Sequence, residues 1–366
     1  MGNQSTMANL VKESFRNKRV FISGHTGFKG VWLTQVLLHM GAIVKGYSLE
    51  MPSPNLFNLT LASEEIDHVI ADIRDKEKLK QEITNFEPDY LFHLAAQSLV
   101  IESYHNPLYT FEVNQMGTAY ILESLRHLHT SCTAVIITTD KVYRDRHWQY
   151  PYRENDILGG YDPYSASKAT CELVVESYRS SFFNPLHYQK HQKLVCTARA
   201  GNVIGGGDFA ENRLLPDIFK AFARNESVVI RNPGSMRPWQ HVLDALYGYL
   251  LLAAKLSARQ LQHVEIQSWN FGPELWDLHT VEEVVKLCVH RYGSGEYELA
   301  SSNVDNKETT YLCLDISKSK YELGWKPKWN LEQSIARTVD FQKHYVQNPN
   351  KVKEYLQSQI NEFLET

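Results

Sequence analysis

This sequence has no surplus of charge of either sign. Its 366 residues hold 38 Lys and Arg against 42 Asp and Glu, a net of −4 at pH 7. That balance leaves no electrostatic footprint for nucleic acid or an anionic membrane. Long apolar runs are also missing. None approaches the ~18 residues that span a bilayer, and no signal-peptide core follows the start. The five cysteines, Cys132, Cys171, Cys196, Cys288 and Cys313, are odd in number and show no CxxC spacing. Buried, reduced thiols in a cytoplasmic protein are the expectation. The fifteen histidines make no HExxH or comparable ligand pattern, so no metal is expected. Met1–Thr6 fits an N-acylation pattern, but no strong polybasic patch follows it. Residues 1–17 are expected to form a disordered polar leader.

What is present is globular: 43% hydrophobic and 22% charged residues, in a length suited to about two domains at roughly 150 residues each. From Lys18 onward, short apolar runs alternate with helical patterns. Strands are expected at Arg19–Ser23, Ile43–Tyr47, His68–Ala71, Tyr90–Ala95 and Ala134–Thr138. Helices are expected at Gly30–Met40, Lys76–Phe86 and Val113–Leu125. This rhythm implies an α/β fold with a doubly wound parallel sheet, covered by helices on both faces. After Val203 the rhythm breaks. A helix over Asn212–Arg224, a strand at Val228–Ile230, a helix over Val242–Lys255 and a strand at Trp269–Gly272 follow. No linker or repeat separates the parts, so a second, smaller unit is interleaved with the first.

Directly after the first strand comes Gly24-His-Thr-Gly27-Phe-Lys-Gly30, which opens a helix. The first glycine makes the strand-to-helix turn. The next lets backbone N–H groups approach a pyrophosphate, and the third lets helix and strand pack closely. The glycine pattern alone is weak, but its strand–loop–helix context is that of a dinucleotide site. Lys29 fits a phosphate neighbour and a solvated helix residue equally well. The second strand ends Lys45-Gly-Tyr-Ser-Leu49, with neither an acid for a ribose 2′-hydroxyl nor an arginine for a 2′-phosphate. Local residues therefore do not separate NAD from NADP.

Tyr164 and Lys168 form a Tyr-x-x-x-Lys pair, four apart on one helical face. An ammonium there lowers a phenol's pKa from its usual ~10, making a base for a hydroxyl whose carbon loses hydride. The spacing is a common accident by itself. The fifth strand ends Thr138-Thr139-Asp140-Lys141, placing a hydroxyl, a carboxyl and an amine where ligands gather in parallel sheets. The same residues also suit a turn or helix cap.

Taken together, these segments resemble the extended short-chain dehydrogenase/reductase superfamily, and within it the nucleotide-sugar 4,6-dehydratases that take CDP-glucose. The carriers are GHTGFKG with Val31-Trp-Leu33, Phe92-His-Leu-Ala-Ala-Gln97, TTDK and YDPYSASK. Further carriers are Arg199-Ala-Gly-Asn-Val-Ile-Gly-Gly-Gly-Asp208, Ile230-Arg-Asn-Pro233, Arg237-Pro-Trp-Gln-His-Val242, Asn270-Phe-Gly-Pro273 and Glu322-Leu-Gly-Trp-Lys-Pro327. The resemblance implies a Rossmann NAD-binding domain over 18–204 with a return segment at 239–272. It implies a smaller α/β nucleotide-sugar domain over 205–238 and 273–350. The implied reaction oxidises carbon 4 of CDP-glucose, eliminates water across carbons 5 and 6, and returns the hydride to carbon 6. The product is CDP-4-dehydro-6-deoxy-D-glucose, a precursor for surface polysaccharide.

By the same resemblance, Tyr164 is the base at carbon 4 with Lys168 beside it. Thr139 orients the sugar, Asp140 is the acid at carbon 6, and Lys141 stands where related enzymes often carry a glutamate base for carbon 5. A lysine must be neutral to accept that proton. Gly24, Thr26, Gly27, Phe28 and Gly30 would hold the NAD pyrophosphate. Asp72 and Ile73 would contact adenine, and Leu94, Ala95 and Ala96 would line the cofactor, with Tyr164 and Lys168 also against it. Asn202, Arg213 and Arg237 would hold the nucleotide diphosphate, and Gln97 would reach the sugar. A homodimer or homotetramer is implied, paired through helices of the cofactor domain. The alternatives on the same scaffold are another nucleotide-sugar dehydratase or a 4-epimerase, for a dTDP-, UDP- or GDP-sugar; an epimerase needs only the redox pair, so Asp140 argues for dehydration. A scaffold protein with a dead site would not need Tyr164 and Lys168.

Overall fold

The computed structural model describes residues 2–261, 268–300 and 311–366. The stretches 262–267 and 301–310 of the expected domain segments lie outside the described residues. Seven strands form one sheet: β1 (Arg19–Ser23), β2 (Ile43–Ser48), β3 (Asp67–Ile70), β4 (Tyr90–His93), β5 (Cys132–Ile137), β6 (Lys193–Ala200) and β7 (Ser268–Phe271). Their order is β7-β6-β5-β4-β1-β2-β3, and every pairing is parallel. This is the doubly wound arrangement, with its switch point between β1 and β4.

Side chains alternate between the two faces with a period of two. Val20, Ile22, Phe92, Val135 and Ile137 join one core, while Phe21, Leu91, Ala134 and Ile136 join the other. The first core is covered by α1 (Gly2–Phe15), α2 (Phe28–His39) and the later helix Val242–Ser257. The second is covered by α3 (Lys76–Phe86), α4 (Gly117–His127) and α5 (Pro163–Ser181). Helices α6 (Leu214–Ala223), α7 (Val242–Ser257), α8 (Val281–Tyr292), α9 (Leu331–Gln347) and α10 (Val352–Glu365) complete the chain. A third core gathers Ile218, Phe222, Val285, Cys288, Ile335 and Val339 from α6, α8 and α9. The segment 311–329 is shared: Leu314, Leu323 and Trp325 pack into the sheet's first core. Lys328 N donates to Asp244 Oδ1 at 2.6 Å, tying this segment to α7. All five cysteines are buried and unpaired. No described helix is long and apolar enough to cross a membrane.

Three sequence expectations change. Residues 2–17 are no disordered leader: α1 buries Val11 and Phe15, and Phe15 packs 4.6 Å from Tyr90 and 6.1 Å from Phe92, centroid to centroid. Strand β6 was not anticipated, because Lys193 and Arg199 interrupt its apolar run, yet both are buried with partners. The single helix expected over Val113–Leu125 begins as a π turn, Glu112–Met116, before α4. Inside that turn Asn114 bonds Gln97 through both amide atoms, which holds the turn against the β4 loop.

If α1 is part of the core, Phe15→Ala should destabilise the protein by about 3–5 kcal/mol in urea unfolding, whereas Lys12→Ala on its exposed side should be near neutral.

Candidate active site

The glycine loop sits at the switch point, between the ends of β1 and β4. Gly24 has φ +82°, and a Cβ there would lie 2.7 Å from the Ala95 nitrogen. A Cβ on Gly30 would come within 2.0 Å of the Gly24 carbonyl. Loop, helix and strand thus touch backbone to backbone. Gly27 is the N-cap of α2 and offers no side-chain cap, so the helix's first N–H groups remain for an anion. Such a cradle fits a dinucleotide pyrophosphate. Thr26 supports it from behind, donating to the Leu49 carbonyl at 2.8 Å. Phe28 packs against the first core. His25 is buried against Phe57 and His68, and burial lowers its pKa to about 4, so it stays neutral and faces away from any phosphate.

The neighbouring positions differ in what they offer. Ile73 is buried against Gly117. Asp72 is engaged by Arg74, with bonds of 2.8 to 3.1 Å, and its carbonyl accepts from Tyr47. Leu94, Ala95 and Ala96 are half-buried along the β4 exit. Gln97 does not present its amide to a sugar. Its Nε2 donates to Leu99 O and Thr110 Oγ1, and its Oε1 accepts from Leu99 N at 2.6 Å.

Helix α5 starts on Asp162-Pro163. The Asp162 carboxylate caps Ser165 N at 2.9 Å, and Pro163 takes the first turn, where no N–H is needed. This start brings Tyr164 and Lys168 to the end of β5, where both are buried. Lys168 Nζ donates to the Ile137 carbonyl at 3.0 Å. Tyr164 shares a hydrogen bond with Thr139, and Thr139 Oγ1 donates to Asp140 Oδ1 at 2.8 Å. Among the described residues no donor reaches Asp140 Oδ2, although that oxygen is buried.

Burial sets the charges here. It pushes Asp140 up, against the pull of Lys141, Thr139, Arg237 and Lys29. It pushes Tyr164 up to about 12, helped by Asp140 and opposed by Thr139 and Arg213. It pushes Lys168 down, opposed by Cys171 and Glu172. In the protein alone burial outweighs the groups that lower Tyr164, chief among them Thr139 and then Arg213, while Lys168 donates to the Ile137 carbonyl. Lys29 belongs to this site rather than to a solvated face. It is lowered to about 8 by burial, then by Arg213 and Lys168, with Asp140 acting the other way.

The other named residues line the approach. Lys141 is half-buried, its N donating to Thr139 Oγ1 at 3.3 Å. Asn202 is half-buried at the end of β6. Arg213 pairs with Asp208 at 3.0 Å and donates to Ser98 Oγ at 3.1 Å. Arg237 is buried, with a bond to Met236 O at 2.9 Å. Sequence reasoning missed Asn114 and Glu172. Asn114 Nδ2 donates to Gln97 O and Ser167 Oγ, and no local pattern marks it. Glu172 continues the spacing of Tyr164 and Lys168, which was a visible signal.

Comparison with known proteins fits this geometry. The family model described as GDP-mannose 4,6 dehydratase matches residues 21–338. The chain belongs to this family. A curated relative, CDP-glucose 4,6-dehydratase of Salmonella typhimurium, is 46% identical over 92% of this chain and 93% of its own length. CDP-paratose 2-epimerase of Salmonella typhi is 25% identical over 88% of this chain and 98% of its own. Among solved structures, DesIV, the dTDP-glucose 4,6-dehydratase of Streptomyces venezuelae with NAD and TYD bound, superposes with a TM-score of 0.75 at 22% identity. It covers 92% of this chain and 99% of its own. At that identity the likeness establishes the fold this family shares.

Proposed function

We propose that this protein is an NAD-dependent CDP-glucose 4,6-dehydratase. The observation that carries the reading is one buried cluster joining Tyr164, Thr139 and Asp140 at the end of β5, beside a dinucleotide cradle. The relative with this activity is 46% identical. NAD supplies a hydride acceptor and a pyridinium charge when bound. Gly24, Gly27 and Gly30 hold its pyrophosphate, while Ile73, Leu94, Ala95 and Ala96 line its path.

Tyr164, in its phenolate form, takes the proton from the hydroxyl on carbon 4, and Thr139 holds the phenol oxygen in line. Oxidation at carbon 4 acidifies the proton on carbon 5, which Lys141 removes in its neutral form. Asp140 gives its proton to the hydroxyl leaving carbon 6, and the hydride taken from carbon 4 would return to carbon 6 as Lys141 gives its proton back to carbon 5. Burial suits Asp140 to that task, because it favours the protonated acid. Asn202, Arg213 and Arg237 hold the diphosphate, for which guanidinium forks are well shaped. The cofactor unit is residues 18–204 with 239–272, and the substrate unit is 205–238 with 273–350, supported by the separate third core.

We also propose a homodimer. Ile101, Leu108, Met116 and Leu173 are exposed on helices Val100–His105 and Pro107–Phe111, the π turn and α5, elements that pack against one another. An apolar patch of this kind marks an interface between copies. Cytoplasmic residence accords with five buried, unpaired thiols.

Incubation with CDP-glucose should yield a 4-keto-6-deoxy sugar, seen by its alkali-induced absorbance. Product from dTDP-glucose, UDP-glucose or GDP-mannose but not from CDP-glucose would overturn the substrate assignment. Lys141→Met should lose solvent-proton exchange at carbon 5 while carbon 4 is still oxidised; normal exchange would remove Lys141 from its role. Leu108→Glu should sediment as a monomer, and an unchanged mass would move the interface elsewhere.

A further inference from the structure

Tyr164, Lys168 and Glu172 lie four residues apart on one buried face of α5. They meet three consecutive residues at the end of β5. Tyr164 bonds Thr139, Lys168 bonds the Ile137 carbonyl, and Glu172 Oε1 accepts from Thr138 Oγ1 at 2.5 Å. The second oxygen of Glu172 accepts from Thr197 Oγ1 at 2.7 Å and from Arg199 Nη2 at 2.8 Å, both on β6. Arg199 in turn donates to Tyr143 OH and to the Glu154 carbonyl, each at 2.9 Å, and Tyr143 OH donates to Asn270 Oδ1 on β7 at 2.6 Å. One carboxylate therefore ties α5 to β5 and β6, and its arginine ties them to β7 and the loop that follows β5.

We propose that Glu172, held by Arg199, is a positioning residue for the oxidation step, setting the end of β5 against α5 and keeping a negative charge one turn from the Lys168 ammonium. The proposal rests on the reading of Tyr164 and Lys168 as the oxidising pair. A buried ion pair is a costly way to join two elements, since apolar side chains of similar size often serve as well or better. Its value here is the placement of charge. Lys168 faces Cys171 and Glu172 on its own helix, His93 at the end of β4 and Lys29 on α2. Tyr164 faces Asp140, Arg213, Asp162 and Tyr249. Among the groups around Lys168, Glu172 supplies the carboxylate on the same helical face. With Cys171, it opposes the burial that lowers Lys168.

The test has one arm without substrate. In protein carrying isotope-labelled lysine side chains, the Lys168 signal is identified by its absence in Lys168→Arg. In Glu172→Gln, which keeps the shape and hydrogen-bonding reach of the side chain, its titration midpoint should fall by about one unit. An unchanged midpoint in a folded variant would overturn the proposal. The second arm is turnover. Glu172→Gln should lower kcat about tenfold with KM within about twofold of wild type, because the substrate contacts are untouched. Should Glu172→Gln fail to fold, Glu172→Asp keeps the charge and retracts it by one methylene; kcat should again fall at constant KM, and wild-type kcat would sink the positioning role. A wild-type protein that turns over no nucleotide sugar fails the functional reading alone, and the lysine titration then decides this inference by itself.

Discussion

The contact between the end of β5 and the first three turns of α5 organises this molecule. Three consecutive residues each meet one side chain from the helix: Ile137 through its carbonyl, Thr138 and Thr139 through their hydroxyls. A strand end and a helix face have different repeats, about 3.3 Å per residue and 5.4 Å per turn. The three contacts are therefore not in step: Tyr164 meets Thr139, Lys168 meets Ile137 and Glu172 meets Thr138. The Asp162-Pro163 start then fixes the helix along its axis, so the register cannot slide. Everything chemical in the site inherits its coordinates from this junction.

Burial does two jobs that pull against each other. It holds the junction rigid, and it penalises every charge placed there. Asp140 and Tyr164 are driven toward their neutral, protonated forms, while Lys168 and Lys29 are driven toward theirs by losing a proton. Breaking a buried pair such as Glu172–Arg199 leaves an uncompensated ion, which typically costs about 3–5 kcal/mol. Such a pair is a sensitive support: its loss is felt in both the fold and the chemistry.

Much of this was legible in the residues. Strands β1 to β5 announce themselves because their faces are apolar and short turns bound them. The glycine loop is legible because only glycine tolerates contacts of 2.0 to 2.7 Å at Gly30 and Gly24. What stayed hidden depends on partners far away in sequence. Strand β6 carries Arg199, which looks like a surface residue until Glu172 is placed beside it. Gln97 looks like a ligand residue until Thr110 and Leu99 are seen to occupy its amide. Helix α1 has few apolar residues, and Phe15 gains its meaning only from Tyr90 and Phe92.

Helix α1 also bears on how the chain assembles. Val11 and Phe15 share one core with α7 and with Val352, Leu356, Ile360 and Phe363 of α10. Helix α1 thus docks on a helix that ends at Ser257, and α10 closes the same core. Contacts this distant in sequence form slowly, because a long loop must close before they repay its entropy. Until α7 and α10 are in place, α1 has no finished surface to lie on, and Val11 and Phe15 stay uncovered.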